Sequence, residues 1–150
     1  MLRFIVMLAM SFALQGTAMA ACQSSDINAL YNNERFSEAY ELLRFCARNE
    51  SLSSDNYVML GYLIARGVGV YENRKLRSQA ELFFLIKGAE NGSAGGLESV
   101  ISIFEYGELT LDLAPNREAT DCLRKLESST ALPRDVSSCL PEELRLVVGA

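Results

Sequence analysis

The sequence predicts an all-α fold, in which helical hairpins follow one another as a short α-solenoid. Residues 60–93 form the clearest hairpin: two stretches with apolar residues at helical spacing flank a turn at Gly67 and Gly69, and Gly92 closes the second stretch. A hairpin of this kind cannot bury its apolar faces alone and needs neighbours of the same kind. The sequence supplies such a neighbour on each side of this hairpin.

The hairpin pattern recurs with a period of about forty residues. Apolar and glycine positions of the first unit have counterparts in the second: Leu60 and Val100, Ile64 and Phe104, Gly67 and Gly107. A further hairpin, over 26–48, precedes both units. Its second helix carries an apolar stripe formed by Phe36, Ala39, Leu42, Leu43, Cys46 and Ala47. Three hairpins in a row favour the solenoid.

Taken in order, the apolar spacing predicts a helical pair over 26–48, then helices over 53–66, 79–90, 93–106, 117–128 and 141–147. Ser25 or Asp26 can cap the first helix, because short polar side chains accept hydrogen bonds from first-turn amides. Pro141 suits the first turn of the last helix.

Two connecting segments are less regular. The charged segment 71–78 is compatible with an extra helical turn or with an extended loop. In the segment 108–116, Leu109, Leu111 and Leu113 alternate with polar residues as in a strand. Because this segment lies between two helices, we predict an extended loop against the core.

Residues 1–20 have the pattern of a secretory signal peptide: Arg3, an uncharged apolar run and a small-residue cleavage site at 18–20. The apolar run is too short to span a membrane. We expect cleavage after this segment, which leaves 21–150 as the repeat domain. The alternative is a lipoprotein processing box, in which Cys22 would carry a lipid and anchor the protein to a membrane.

Two groups of residues carry a known repeat pattern: Leu60, Gly61, Gly67, Gly69 and Val70, then Lys87, Ala89, Glu90 and Gly92. They resemble the Sel-one-like repeat family, relatives of the tetratricopeptide repeats. Gly88 stands where that pattern has an alanine, and the stretch 70–87 exceeds the pattern by about one helical turn. The second unit matches more weakly, at Ala119, Cys122 and Lys125.

The resemblance implies a right-handed solenoid of about three repeats over 26–128, with the helix 141–147 as a C-terminal cap. It also implies that the first helix of each hairpin lines a concave binding face. The pattern leaves several slots on that face free, and those slots hold Tyr62, Leu63, Arg66, Ser102, Ile103, Glu105 and Tyr106.

Four of these residues are our predicted partner-binding set: Tyr62, Arg66, Glu105 and Tyr106. Tyrosine and arginine are enriched among the interface residues that carry binding energy. An equally weighted alternative is that Tyr62 and Tyr106 pack against a neighbouring helix. Leu63 and Ile103 fit either an exposed patch or a contact to the next layer.

The residues 21–150 contain four cysteines, and an even count in an exported chain of this size indicates two disulfides. Three connectivities are possible. A solenoid contacts only its sequence neighbours, which favours Cys22–Cys46 and Cys122–Cys139. Lipidation of Cys22 would leave an odd thiol. Without a CxxC motif or a histidine, a metal site or a redox pair is not expected.

Composition argues against several functions. Without Arg3 the chain has 13 basic and 19 acidic residues, a net charge of −6, which argues against nucleic acid and anionic membrane surfaces. The absence of histidine excludes Ser-His and Cys-His catalytic pairs. The pair Glu142-Glu143 fits the first turn of a helix better than acid–base chemistry. We therefore expect no enzyme activity and no cofactor.

These observations predict a periplasmic module that binds another protein. Some small exported members of the resembling family act as immunity proteins, so we expect an inhibitor of a secreted effector toxin, and the acidic surface would speed its encounter with a basic toxin. One alternative is a periplasmic adaptor or regulator of envelope signalling or assembly, and another is a structural lipoprotein. A third is a hydrolase of the cysteine-rich Sel-one-like type, although those proteins have a disulfide within each repeat and this chain lacks such pairs.

Overall fold

The computed structural model describes residues 22–49, 52–69, 71 and 73–148. The predicted signal peptide, 1–20, and Val70 of the repeat pattern lie outside the described residues. The chain separates into two compact units that divide between Leu52 and Ser53, and each is described on its own. Across the described ranges, regular structure consists of seven α-helices and two 3-10 turns, without a β-strand. The all-α prediction is confirmed.

The helices are α1 (Ser24–Asn32), α2 (Phe36–Arg48), α3 (Ser54–Ala65), α4 (Arg74–Glu90), α5 (Ala94–Tyr106), α6 (Arg117–Glu127) and α7 (Glu142–Val148). The 3-10 turns are Leu109–Leu111 and Ser137–Cys139. No helix among the described residues combines the length and the apolar character needed to cross a membrane.

The first unit contains α1 and α2, joined by a short turn in which Glu34 has φ of 60°. The stripe of α2 is buried at Ala39, Leu43 and Cys46, as predicted. Cys46 forms a disulfide with Cys22, with 5.7 Å between the Cα atoms. This bond ties the start of the described chain to the buried face of α2.

The predicted cap of the first helix is wrong. Helix α1 begins at Ser24, and the residue before it, Gln23, makes no side-chain capping bond. Asp26 therefore lies inside the first turn, where its negative charge favours the helix N-terminus.

The first hairpin of the second unit pairs α3 with α4. Ser53 caps α3 by accepting a hydrogen bond from the amide of Asn56. The side chain of Asn73 accepts from the amides of Lys75 and Leu76, which starts α4 at Arg74 rather than Gln79. The segment 71–78 is thus mostly an extra turn of helix, because an asparagine cap stands one turn ahead of the apolar stripe.

The second hairpin pairs α5 with α6 and repeats these features. Ser93 caps α5 by accepting from the amide of Gly96, and Asn116 caps α6 by accepting from the amide of Ala119. Gly67 and Gly107 follow the first helix of each hairpin, with φ of 84° and 81°. The paired apolar positions of the two units are all buried: Leu60, Ile64, Val100 and Phe104.

Two glycines allow neighbouring helices of the second unit to approach closely, one within the first hairpin and one between the two hairpins. A Cβ at Gly88 of α4 would lie 2.6 Å from Cγ2 of Val58 and 2.8 Å from the carbonyl oxygen of Ser54. This approach of α3 to α4 leaves no space for a Cβ at position 88. Gly96 is placed in the same way, since its Cβ would lie 2.9 Å from the same Val58 methyl. A glycine in the first turn of α5 therefore serves packing.

The segment 108–116 is not the extended loop that we predicted. Glu108 and Leu113 pair across a 3-10 turn, with the Glu108 amide donating to the Leu113 carbonyl at 2.9 Å. Leu111 and Leu113 pack on the core, whereas Leu109 is 95% exposed. The alternating leucines reflect this small closed turn, in which one leucine at the tip points away from the core.

The end of the second unit is tied down by Cys122–Cys139, with 5.5 Å between the Cα atoms. Leu140 is fully buried, and Leu144 of α7 packs against the same core. Both disulfides therefore have the predicted pairing. Of the two alternatives left open for Leu63, the structure shows the buried one. Ala65, which the helical spacing placed on the apolar face with Leu60 and Ile64, is exposed at the end of α3.

Candidate functional site

A groove of about 400 Å³ lies between α3 and α5 in the second unit, with α4 beneath. It is lined by Tyr62, Glu81, Leu85, Gly95, Glu98, Ser99, Ser102 and Ile103. The first helix of each hairpin contributes one wall. The repeat of the hairpins therefore creates the groove, because equivalent helices stand side by side.

Tyr62 forms the α3 wall and is 40% exposed. Its hydroxyl lies 2.7 Å from Ser99 Oγ, and Ser99 Oγ donates to the carbonyl of Gly95 at 2.8 Å. Since a serine hydroxyl has one proton, Tyr62 donates to Ser99. The hydroxyl of Tyr62 is thus held by the neighbouring helix, as the packing alternative expects, while the residue remains 40% exposed.

Two carboxyl groups give the groove its charge. Glu98 is exposed on α5, and Glu81 is partly buried on α4. Partial burial raises the pKa of the Glu81 carboxyl above its ordinary value, and the negative charge of Glu108 raises it further. The groove therefore has one partly buried carboxyl group, that of Glu81, and one exposed carboxyl group, that of Glu98.

The other predicted partner-binding residues do not line this groove. Arg66 is exposed at the C-terminal end of α3, and Tyr106 is 74% exposed at the end of α5. Glu105 accepts a 2.7 Å hydrogen bond from Arg124 and borders a separate depression of about 320 Å³ between α5 and α6. All four predicted residues are exposed, but the structure brings only Tyr62 into the groove.

Sequence reasoning missed Glu81 and Glu98. Glu98, Ser102 and Glu105 recur at helical spacing, which placed Glu98 on the same face as two residues that were singled out. Glu81 directly precedes the buried Leu82 of α4, so a carboxyl at the edge of an apolar stripe was the available signal. The repeat pattern directed attention to the first helices, and Glu81 lies on a second helix.

The groove offers recognition groups rather than an activated nucleophile. Ser99 donates its proton to a carbonyl oxygen, not to a general base. Within the described part of the chain, no three histidine, cysteine, aspartate or glutamate side chains lie close enough to hold a metal ion. What the lining provides is an apolar floor, hydroxyl groups, an aromatic ring and carboxylates.

Comparisons of the chain with protein-family models, with curated proteins and with solved structures gave no match.

Proposed function

We propose that this protein is an exported, non-catalytic module that binds another protein, and that it acts as an inhibitor, such as an immunity protein that neutralises a secreted toxic effector. The observation that carries the proposal is the groove between α3 and α5, with its half-open tyrosine and its carboxylates. Tyrosine in such a setting is a frequent contributor to binding energy.

The proposed architecture is a short solenoid of Sel-one-like repeats. The equivalent caps Ser53 and Ser93, and the equivalent turn glycines Gly67 and Gly107, support two repeats in the second unit. The hairpin of α1 and α2 is proposed as a third repeat, and α7 as the C-terminal cap. In such repeats the first helices line the binding face, which agrees with the position of the groove.

Export to the periplasm is supported by the two disulfides, since such bonds persist in oxidising compartments. A disulfide-tied, capped domain also suits an inhibitor, because a rigid surface loses little conformational entropy when it binds. With Cys22 in a disulfide, a lipid on the same sulfur would require the bond to Cys46 to be absent.

Inhibition by occlusion requires no catalytic group in this protein. The proposed contacts are Tyr62 in the groove and the exposed Arg66, Glu105 and Tyr106 around it. We propose no cofactor and no nucleic acid partner, in keeping with the net negative charge of the chain.

The proposal is tested by deleting the gene in a strain that carries a linked effector. Sister cells should then intoxicate one another, and expression of this protein with its residues 1–20 should restore growth, whereas expression without them should not. The purified protein should abolish effector activity at one-to-one stoichiometry. Normal growth of the deletion strain beside toxin-producing siblings would exclude the immunity function and favour a periplasmic adaptor.

A further inference from the structure

We propose that the groove between α3 and α5 binds an arginine side chain presented by the protein partner. This inference rests on the proposed function, and it adds the chemistry by which the partner is recognised. It follows from three features of the groove: carboxylates without counter-charges, an apolar floor, and a tyrosine ring at the rim.

The carboxylates of the groove lack a cation. Neither Glu81 nor Glu98 forms an ion pair with any described residue. Six other described carboxylates do pair with a cation, namely Glu38, Glu41, Glu90, Glu105, Asp112 and Asp121, whereas others such as Glu118 and Glu127 do not. What distinguishes the groove is that two carboxyl groups without an ion pair line one concave surface, so that a cation from outside complements them.

The dimensions of the groove fit one long side chain. Its volume of about 400 Å³ lies at the small end of the range for ligand sites, which is about 300–1,000 Å³. Ile103 is partly buried and provides apolar surface for the methylene stem of a basic residue, whereas Leu85 is buried in the core beside it. A partner helix would need a longer trough, so an exposed loop that presents one side chain is the better occupant.

Arginine fits these groups better than lysine. A guanidinium donates in a planar fork to carboxylates and stacks on aromatic rings, whereas an ammonium is a compact and strongly hydrated charge. The Tyr62 hydroxyl is held by Ser99, which fixes the ring at the rim of the groove. A guanidinium in the groove would stack on this ring and donate hydrogen bonds to the carboxylates of Glu81 and Glu98.

The direct test uses a defined probe and the chain 21–150 with both disulfides formed. The acetylated and amidated peptide Gly-Ser-Arg-Ser-Gly is titrated into the isotope-labelled protein, and amide chemical shifts are followed by NMR. Shifts should concentrate at residues 95–103 of α5. The same peptide with norleucine in place of arginine, which keeps the stem and removes the charge, should bind about tenfold more weakly.

Charge-removing variants locate the contact. Glu81→Gln and Glu98→Gln should each weaken arginine-peptide binding about threefold, and the double variant about tenfold. Glu127→Gln removes one exposed charge from α6, away from the groove, and should leave the affinity unchanged. The amide spectrum of each variant reports its fold. Equal binding of the arginine and norleucine peptides, or shifts outside the groove, would overturn the proposal.

A second measurement separates this inference from the proposed function. If the Glu81→Gln/Glu98→Gln variant inhibits the effector as tightly as the unaltered protein, the arginine assignment is wrong and the inhibitor function stands. If the arginine peptide binds in the groove but no linked effector is inhibited, the groove chemistry stands and the inhibitor function is wrong.

Discussion

The hairpins α3–α4 and α5–α6 share the same capping and turn residues but differ in the length of their second helix. Both begin with a serine cap, turn at a glycine of positive φ and start their second helix with an asparagine cap. Their second helices differ, with 17 residues in α4 and 11 in α6. A few capping and turn residues therefore define the repeat, while length is free to vary between them.

The two departures from a compact repeat lie against each other. The extra first turn of α4 carries Lys75, whose ammonium lies 3.1 Å from the carboxylate of Asp112. Asp112 belongs to the closed turn of the second hairpin, next to Leu111, which packs on the core. The longer helix of one hairpin thus supports the longer connection of the other.

The largest expected effect concerns the disulfide that only the second hairpin has. Replacing Cys122 and Cys139 together by alanine should lower the free energy of unfolding by about 3 kcal/mol, because the bond closes a short loop in the unfolded chain. Denaturant unfolding measures the loss. Native-state hydrogen exchange should show α6 losing protection before α4, and simultaneous loss would mean that the hairpins do not differ in this way.

The two turn glycines differ in how much strain a side chain would cause there. Gly107 has φ of 81° and ψ of 168°, a region that other residues rarely adopt, and a Cβ there would lie 2.6 Å from the Leu113 carbonyl oxygen. Gly107→Ala should therefore cost about 2 kcal/mol. Gly67→Ala, whose Cβ would meet the movable guanidinium of Arg77, should cost about 1 kcal/mol. Thermal and denaturant unfolding would show which variant loses more unfolding free energy. A larger loss for Gly67→Ala than for Gly107→Ala would contradict the prediction.

The asparagine caps are a feature that both hairpins share. Asn73 and Asn116 each accept hydrogen bonds from first-turn amides of the second helix of their hairpin. Asn73→Ala and Asn116→Ala should each lower the unfolding free energy by about 1 kcal/mol. Asn73→Asp and Asn116→Asp keep the acceptor and serve as controls. A cost at one position alone would mean that the caps are not equivalent.

The smallest expected effect comes from Glu81. Its pKa is raised above the ordinary 4.5 in the folded protein, so the native state holds its proton more tightly than the unfolded chain. Stability from this group is therefore greatest below pH 4.5 and falls as pH rises through the folded-state pKa. Glu81→Gln should slightly raise stability at neutral pH and flatten this fall. Urea unfolding at several pH values measures the free energy of unfolding, with Glu127→Gln as the control. A Glu81→Gln protein that is less stable than the unaltered protein at neutral pH would contradict the account.

The helical hairpins could be predicted from the sequence, because turn glycines and apolar spacing are local signals. Gly67 and Gly107, together with the buried positions Leu60, Ile64, Val100 and Phe104, predicted the hairpins by their fixed period. The cap at Asn73 was not used, and the start of α4 was therefore placed too late, at Gln79. The contact of the segment 108–116 with the core was predicted and is made by Leu111 and Leu113, but its closed 3-10 turn was missed. Local alternation cannot distinguish that from a strand.

The candidate site was predicted less completely than the fold. Tyr62 was found because the repeat pattern leaves its slot free, and residue type then singled it out. The carboxylate of Glu81 joins the groove only when α3 and α5 stand on either side of α4. Glu105 was placed with Tyr62, but its pairing with Arg124 depends on the packing of α6. Such pairings are set by packing between helices and leave no short-range signal.

Hydrogen exchange of the chain 21–150, measured with and without the linked effector of the proposed function, tests the central claim most directly. If the groove between the equivalent helices is the docking site, added protection should concentrate in peptides that cover 57–63 of α3 and 95–103 of α5. Amides around Ser99 and Ser102, which line the groove, should change most. Protection confined to α1 and α2, or to the turn 108–113, would contradict the claim.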